Sequence, residues 1–200
     1  MARMAVAERR AALLSAALKV ISTHGVAAAT TRAITAEAGM SLASFHYAYQ
    51  SRDELLAELI AYVVEEESTA AVATLTPGAD LPTTIRDGLH SFLRLLAADP
   101  AREQAMLELT LYALRTGDLG AAARAQYAAY YKAAGAILDA AAQLTGATWT
   151  RPVDDVARFL VTLTDGLTLG WLVHRDWDAT LRTADFAATA IAALSEGSQG

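Results

Sequence analysis

The chain has 200 residues, 54% of them hydrophobic and 19% charged, with no cysteine and a net charge of −6. That length can bury one large core or two small ones, and the lack of cysteine excludes disulfides, thiolate metal sites and a cysteine nucleophile. The negative charge argues against nucleic acid until its distribution is seen: residues 1–52 hold six basic and two acidic side chains, net +4, and residues 53–200 hold 10 basic and 20 acidic ones, net −10. A basic head on an acidic body is the split expected when only the head touches phosphate.

Charges interrupt the N-terminal MARMAVAERRAALL before any signal-type apolar run develops. The most apolar run, Phe159 to Val173, spans 15 residues and contains Asp165. A bilayer crossing needs about 20 apolar residues, so a cytoplasmic protein without a membrane span is expected. Apolar residues recur with helical period and no alternating strand pattern stands out. The expectation is therefore an all-α fold of about nine helices: an N-terminal three-helix, helix-turn-helix head over 1–52 and a C-terminal helical-bundle body over 53–200.

In chain order, the first helix runs from about Val6 to His24 with an apolar stripe of Leu13, Ala17, Val20 and Ile21, and Gly25 fits its end. Thr30 can cap a second helix ending near Ala38, Gly39 supplies a turn, and Ser41 can cap a short third helix through Tyr47. Ser51 and Glu54 have capping-box spacing and open a fourth helix reaching about Leu75. The run TPGADLP, with Pro77 and Gly78, is the strongest break in the chain. Helices then follow over about Pro82–Ala98, from Asp99-Pro100 to Thr116, and from a Gly117-Asp118 stop and cap to Leu144. TGATWTRP reads as a loop, and Pro152, Asp154 and Asp155 start a helix to His174. A last helix begins at Asp178 or Thr180 and ends near Ser195, leaving EGSQG as a frayed tail.

Two short helices joined by a glycine turn are the sequence form of a DNA-binding helix-turn-helix. Ile34, Ala38, Met40 and Phe45 supply an apolar seam between them. The outward positions of the third helix, Leu42, Ala43, Ser44 and Tyr47, are small or hydrogen-bonding. Such a helix fits a major groove about 12 Å wide. Thr31 and Arg32 can reach phosphate, and Arg32 a guanine edge. Packing alternatives stand beside these readings: Phe45 and Tyr49 are expected in the core, Tyr47 can pack the head, Arg52 can be a solvated helix start, and His24 is a helix end.

TTRAITAEAGMSLASFHYAYQSRDEL resembles the N-terminal DNA-binding region of TetR-family transcriptional repressors, and the likeness extends over roughly residues 8–60. The rest of the chain matches only in plan. The resemblance implies that third-helix residues read bases. It also implies that an aromatic near the end of that helix, and the basic residue opening the fourth, grip phosphate. Those two positions fall on His46 and Arg52, where tyrosine and lysine are usual; Ala48 and Thr35 stand where histidine and alanine are common. The expected DNA contacts are Thr31, Arg32, Ser41, Leu42, Ala43, Ser44, His46, Tyr47 and Arg52. This set has few groups for bidentate base contacts, so specificity leans on Ser44, Tyr47, methyl contacts and DNA shape.

The resemblance further implies a homodimer on near-palindromic double-stranded DNA, paired through the last two helices, and a small-molecule inducer held among the fifth to eighth helices. The fourth helix joins head to body and is the expected lever. Candidate ligand positions are Phe92, Met106, Thr110, Tyr127, Tyr131, Thr162, Asp165 and Leu169, with core packing as the alternative for the apolar ones. VARFLVTLTDGLTLGWLV is apolar nearly all round and so must be covered on every side. Gly166 and Gly170 share one of its faces, and Phe186, Ala190 and Leu194 give the last helix a matching stripe for the dimer. Asp165 either pairs with an internal arginine or hydroxyl or meets a ligand.

A transcriptional activator of the same fold is the nearest alternative. A metal enzyme is more distant: Asp87 and His90 have acid-x-x-His spacing, but a di-iron bundle needs two such pairs and two further carboxylates. No phosphate loop, G-x-S-x-G or dinucleotide fingerprint appears, so no catalytic residue, metal or cofactor is expected. Glu65-Glu66-Glu67 reads as a solvated stretch of the fourth helix.

Overall fold

The computed structural model describes residues 5–72, 80–117 and 119–197, the side chains of 64–72 excepted. Leu75, Pro77, Gly78, the Asp118 cap, the side chains of Glu65-Glu66-Glu67 and the last three residues of the tail lie outside the described residues. The described chain is all-α, as expected. Helices α1 (Val6–His24), α2 (Thr31–Glu37), α3 (Leu42–Ala48), α4 (Arg52–Val72), α5 (Leu81–Ala98), α6 (Pro100–Arg115), α7 (Leu119–Thr145), α8 (Val153–His174) and α9 (Trp177–Ala192) follow one another, with a single 3₁₀ turn at Val26–Ala28.

Local chemistry sets most of these ends. The side-chain oxygens of Thr30, Ser41, Asp80 and Asp176 accept from the amides of Ala33, Ser44, Thr83 and Ala179, each satisfying one free donor of a helix start. Asp176 therefore caps α9, in place of the expected Asp178 or Thr180. Ser51 accepts from Glu54 N at 3.0 Å, but Glu54 returns its bond to Gln50 N at 2.7 Å, one residue earlier than a capping box requires. The expected loop at Thr148–Trp149 is a two-residue strand, β1, paired antiparallel with β2 (Ser195–Glu196). The start of the tail is thus tied down by backbone bonds.

The chain forms two compact units. The first comprises residues 1–64 and 101–126. Its core joins Leu13, Ala17, Val20 and Ile21 of α1 to Ile34, Phe45 and Tyr49, to Leu55, Leu56, Leu59 and Ile60 of α4, and to Ala105, Met106 and Leu109 of α6. The second comprises residues 65–100 and 127–200, with Leu89, Leu93, Leu138, Val156, Ala157, Val161, Trp171, Ala184 and Ile191 at its centre. Within it α9 packs along α5 and α8. Among the described residues only α8 is long and apolar enough to cross a bilayer; its Val156, Ala157, Val161, Leu167 and Trp171 pack in this core.

Candidate nucleic-acid interface and ligand site

In the head, Ile34 and Phe45 are fully buried while Ala38 and Met40 pack against them, which closes the seam between α2 and α3. Gly39 makes the turn at φ +63° with open space around its Cα, so it is the backbone conformation that calls for glycine there. Thr35, buried in α2, donates to the carbonyls of Thr31 and Arg32. Tyr49 is buried, with Arg10 over its ring at 4.3 Å, and burial pushes its hydroxyl up to about 12.

The outward side of this scaffold carries Ser41, Leu42, Ala43, His46 and Tyr47, all exposed, with Ser44 and Thr31 half-buried and Arg32 exposed at the start of α2. Ser41 and Ser44 hydroxyls lie 3.1 Å apart. Arg9 stands over the Tyr47 ring at 5.0 Å.

Arg52 departs from the rest. Its guanidinium donates to Ala29 O and Val26 O, both at 2.6 Å, and to Tyr112 Oη at 2.8 Å, and lies 5.1 Å from the Tyr112 ring centroid. The expected phosphate grip is thus committed in this structure to holding the Val26–Ala29 turn against α4 and α6. The same turn is held from α6 by Glu108, whose Oε1 accepts from Val26 N at 2.8 Å. Gly25 has φ +80°, and a Cβ there would stand 3.1 Å from Glu108 Oε1. Sequence reasoning missed Glu108 and Tyr112 because their partners lie roughly 60 to 80 positions away and no local pattern marks them.

The basic excess of the head is smaller than the count over 1–52 implies. Arg10 pairs with Glu58 and with Glu54, the latter at 3.2 Å, and Lys19 pairs with Glu37. Residues 1–64 hold six basic and five acidic side chains. Positive potential at this surface therefore rests on where Arg9 and Arg32 sit rather than on net charge.

The candidate ligand residues divide. Tyr127 and Tyr131 of α7 meet at 6.0 Å between ring centroids, and Tyr127 meets Tyr130 at 5.9 Å, both edge to face. Tyr127 Oη donates to Asp165 Oδ2 at 2.9 Å. Of the two alternatives for Asp165, the internal hydroxyl is present. Burial raises the Asp165 carboxyl above its ordinary value, with the Tyr127 bond opposing, and pushes the Tyr127 hydroxyl up to about 12. Phe92 packs on the same core. Met106 and Thr110 instead belong to the first unit, where Thr110 Oγ1 bonds Met106 O and Gln126 Oε1. Thr162 and Leu169 are exposed, Leu169 at 57%, because their place on α8 turns away from the core.

The same outward side of α8 carries Phe159, Gly166, Gly170 and Val173, and α9 presents Phe186, exposed at 74%, and Ala190. Leu194, expected at the dimer face, packs partly buried on the core of its own unit. His90 Nε2 meets Asp185 at 2.8 Å and Asp87 pairs with Arg86, so the Asp87–His90 spacing serves two separate contacts. Among the described residues no three His, Asp or Glu are grouped for a metal ion.

A capped helix-turn-helix head followed by a helical body is the plan of a DNA-binding regulator. Residues 13–59 match the family described as bacterial regulatory proteins, tetR family. A nicotine-responsive transcriptional repressor of helix-turn-helix type, HdnoR of Paenarthrobacter nicotinovorans, is 28% identical over 167 residues, covering 84% of this chain and 85% of its own. A transcriptional regulator from Rhodococcus sp. Rha1 superposes with a TM-score of 0.76 at 18% identity, over 94% of this chain and 98% of its own. The multidrug binding protein EbrR, complexed with ethidium, superposes with a TM-score of 0.70 at 26% identity, over 95% of this chain and 100% of its own. The match to the tetR family thus covers the head, and over most of its length the chain is similar to transcriptional regulators.

Proposed function

We propose that this regulator is a homodimeric repressor that binds a near-palindromic operator and leaves it when a small molecule binds. Residues 1–52 carry DNA recognition and 53–200 ligand binding and dimerisation, in the cytoplasm. The observation that carries the reading is the pairing of an exposed, capped α3 with an uncovered apolar stripe of Phe159, Leu169, Val173 and Phe186. A monomer leaves that stripe in water; a second copy in two-fold arrangement covers it and sets two recognition helices for successive major grooves. Repression and a small-molecule inducer are favoured over activation by the relatives, one a nicotine-responsive repressor and one a multidrug binding protein. Within the head unit, Glu108 and Tyr112 hold the turn before α2, so displacement of α6 by an inducer redirects the reading helices. An effector need only favour the DNA-incompetent state by about 1–3 kcal/mol to act as a switch. Gel-shift titration on DNA upstream of the protein's own gene tests this: salt-sensitive binding by a dimer is expected, and its absence removes the reading.

A further inference from the structure

We propose that Asp165 and the tyrosine cluster of α7 bind a small organic cation bearing a flat aromatic ring, with the charge on nitrogen. The inference rests on the inducer reading above and names the chemistry its ligand must have. Tyr127, Tyr130 and Tyr131 lie at i, i+3 and i+4, so they share one side of α7. Their rings meet edge to face, with interplanar angles of 79° and 65°, an arrangement that does not cover one electron-rich face with another. One of those faces already takes a positive charge: the Arg158 guanidinium lies 4.5 Å from the Tyr131 centroid.

Asp165 supplies the counter-charge. It sits mid-helix in α8, partly buried, and its Oδ2 accepts from the neutral Tyr127 hydroxyl. Among the described residues no basic side chain lies within ion-pair distance of it. A partly buried carboxylate without a cationic partner is an incomplete pair. A cation at this position gains the carboxylate and the ring faces together. A neutral ring of equal size gains only stacking, and an anion is repelled.

Calorimetric titration of the full-length protein with three ligands of one size tests this: N-methylquinolinium, quinoline (uncharged at neutral pH) and 2-naphthoate. The cation is expected to bind about tenfold or more tighter than quinoline, a difference of about 1.4 kcal/mol, with 2-naphthoate weakest. Asp165→Asn, which keeps an acceptor for Tyr127, should remove that preference and leave quinoline unchanged. Tyr131→Leu should weaken both ring ligands. Failure of the cation to bind, equal affinity for cation and quinoline, or an unchanged preference in Asp165→Asn overturns the inference. If Asp165→Asn does not fold, the wild-type comparison of the three ligands still decides. A gel-shift in parallel separates the two readings: operator binding without cation preference removes the ligand class alone, whereas absent operator binding removes the regulator reading.

Discussion

Two arginines in the head occupy different physical roles, and two measurements separate them. Arg32 is exposed at the start of α2, whereas the Arg52 side chain is 22% exposed and holds three acceptors. Arg32→Ala is expected to leave folding unchanged and to lower the slope of log affinity against log salt by about one. Arg52→Ala is expected to cost about 2–3 kcal/mol of stability in urea titration. Arg52→Lys should restore little of it, because a compact ammonium cannot span the fork of acceptors. Asp165 gives a second residue-scale expectation. Its folded-state pKa is raised, so the native protein binds more protons than the unfolded chain between the ordinary aspartate value and the raised one. Stability therefore falls as pH rises through that window, and the penalty is fully present above it. Calorimetric melting should show Asp165→Asn losing this dependence and matching or exceeding the wild-type Tm at neutral pH.

At the scale of elements, what was legible in the sequence followed the reach of the forces. The starts of α2 and α3 were readable because Thr30 and Ser41 bond amides three residues ahead. The seam of Ile34 and Phe45 was readable because both lie within one motif. The long body helices were readable from period alone. The restraint on the turn at Val26–Ala29 was not, since Glu108, Tyr112 and Arg52 reach it from distant positions. The same limit hid β1, whose partner lies at Ser195–Glu196, and the placement of Met106 and Thr110 in a different unit from Tyr127. Gly25→Ala tests the turn. The backbone there is left-handed and the new methyl meets the Glu108 carboxylate, so a loss of about 1–3 kcal/mol is expected by denaturant unfolding. Glu108→Gln should soften the steric part little and weaken the bond to Val26 N through lost charge.

At the scale of the whole molecule, the stripe on α8 and α9 is the feature with most leverage. Val173 is 65% exposed and Phe186 74%, on sides of α8 and α9 that turn away from the core. Phe186→Glu is expected to give a folded monomer by analytical ultracentrifugation, with unchanged helical circular dichroism and operator affinity lost by several hundredfold or more, since each half-site then binds alone. A variant that stays dimeric and keeps its operator affinity would place the subunit contact elsewhere.

The core that unites residues 1–64 with 101–126 bears on anyone who would transplant this head. The reading helices are not a cassette that ends where α4 ends. A chimera cut after residue 64 would leave Val26, Ala29 and Arg52 without Glu108 and Tyr112, and would uncover the head core that shares a cluster with Met106 and Leu109. Grafts that carry a matched α6 should keep the donor's operator preference, and recombination within such regulators should favour crossovers that inherit both segments together.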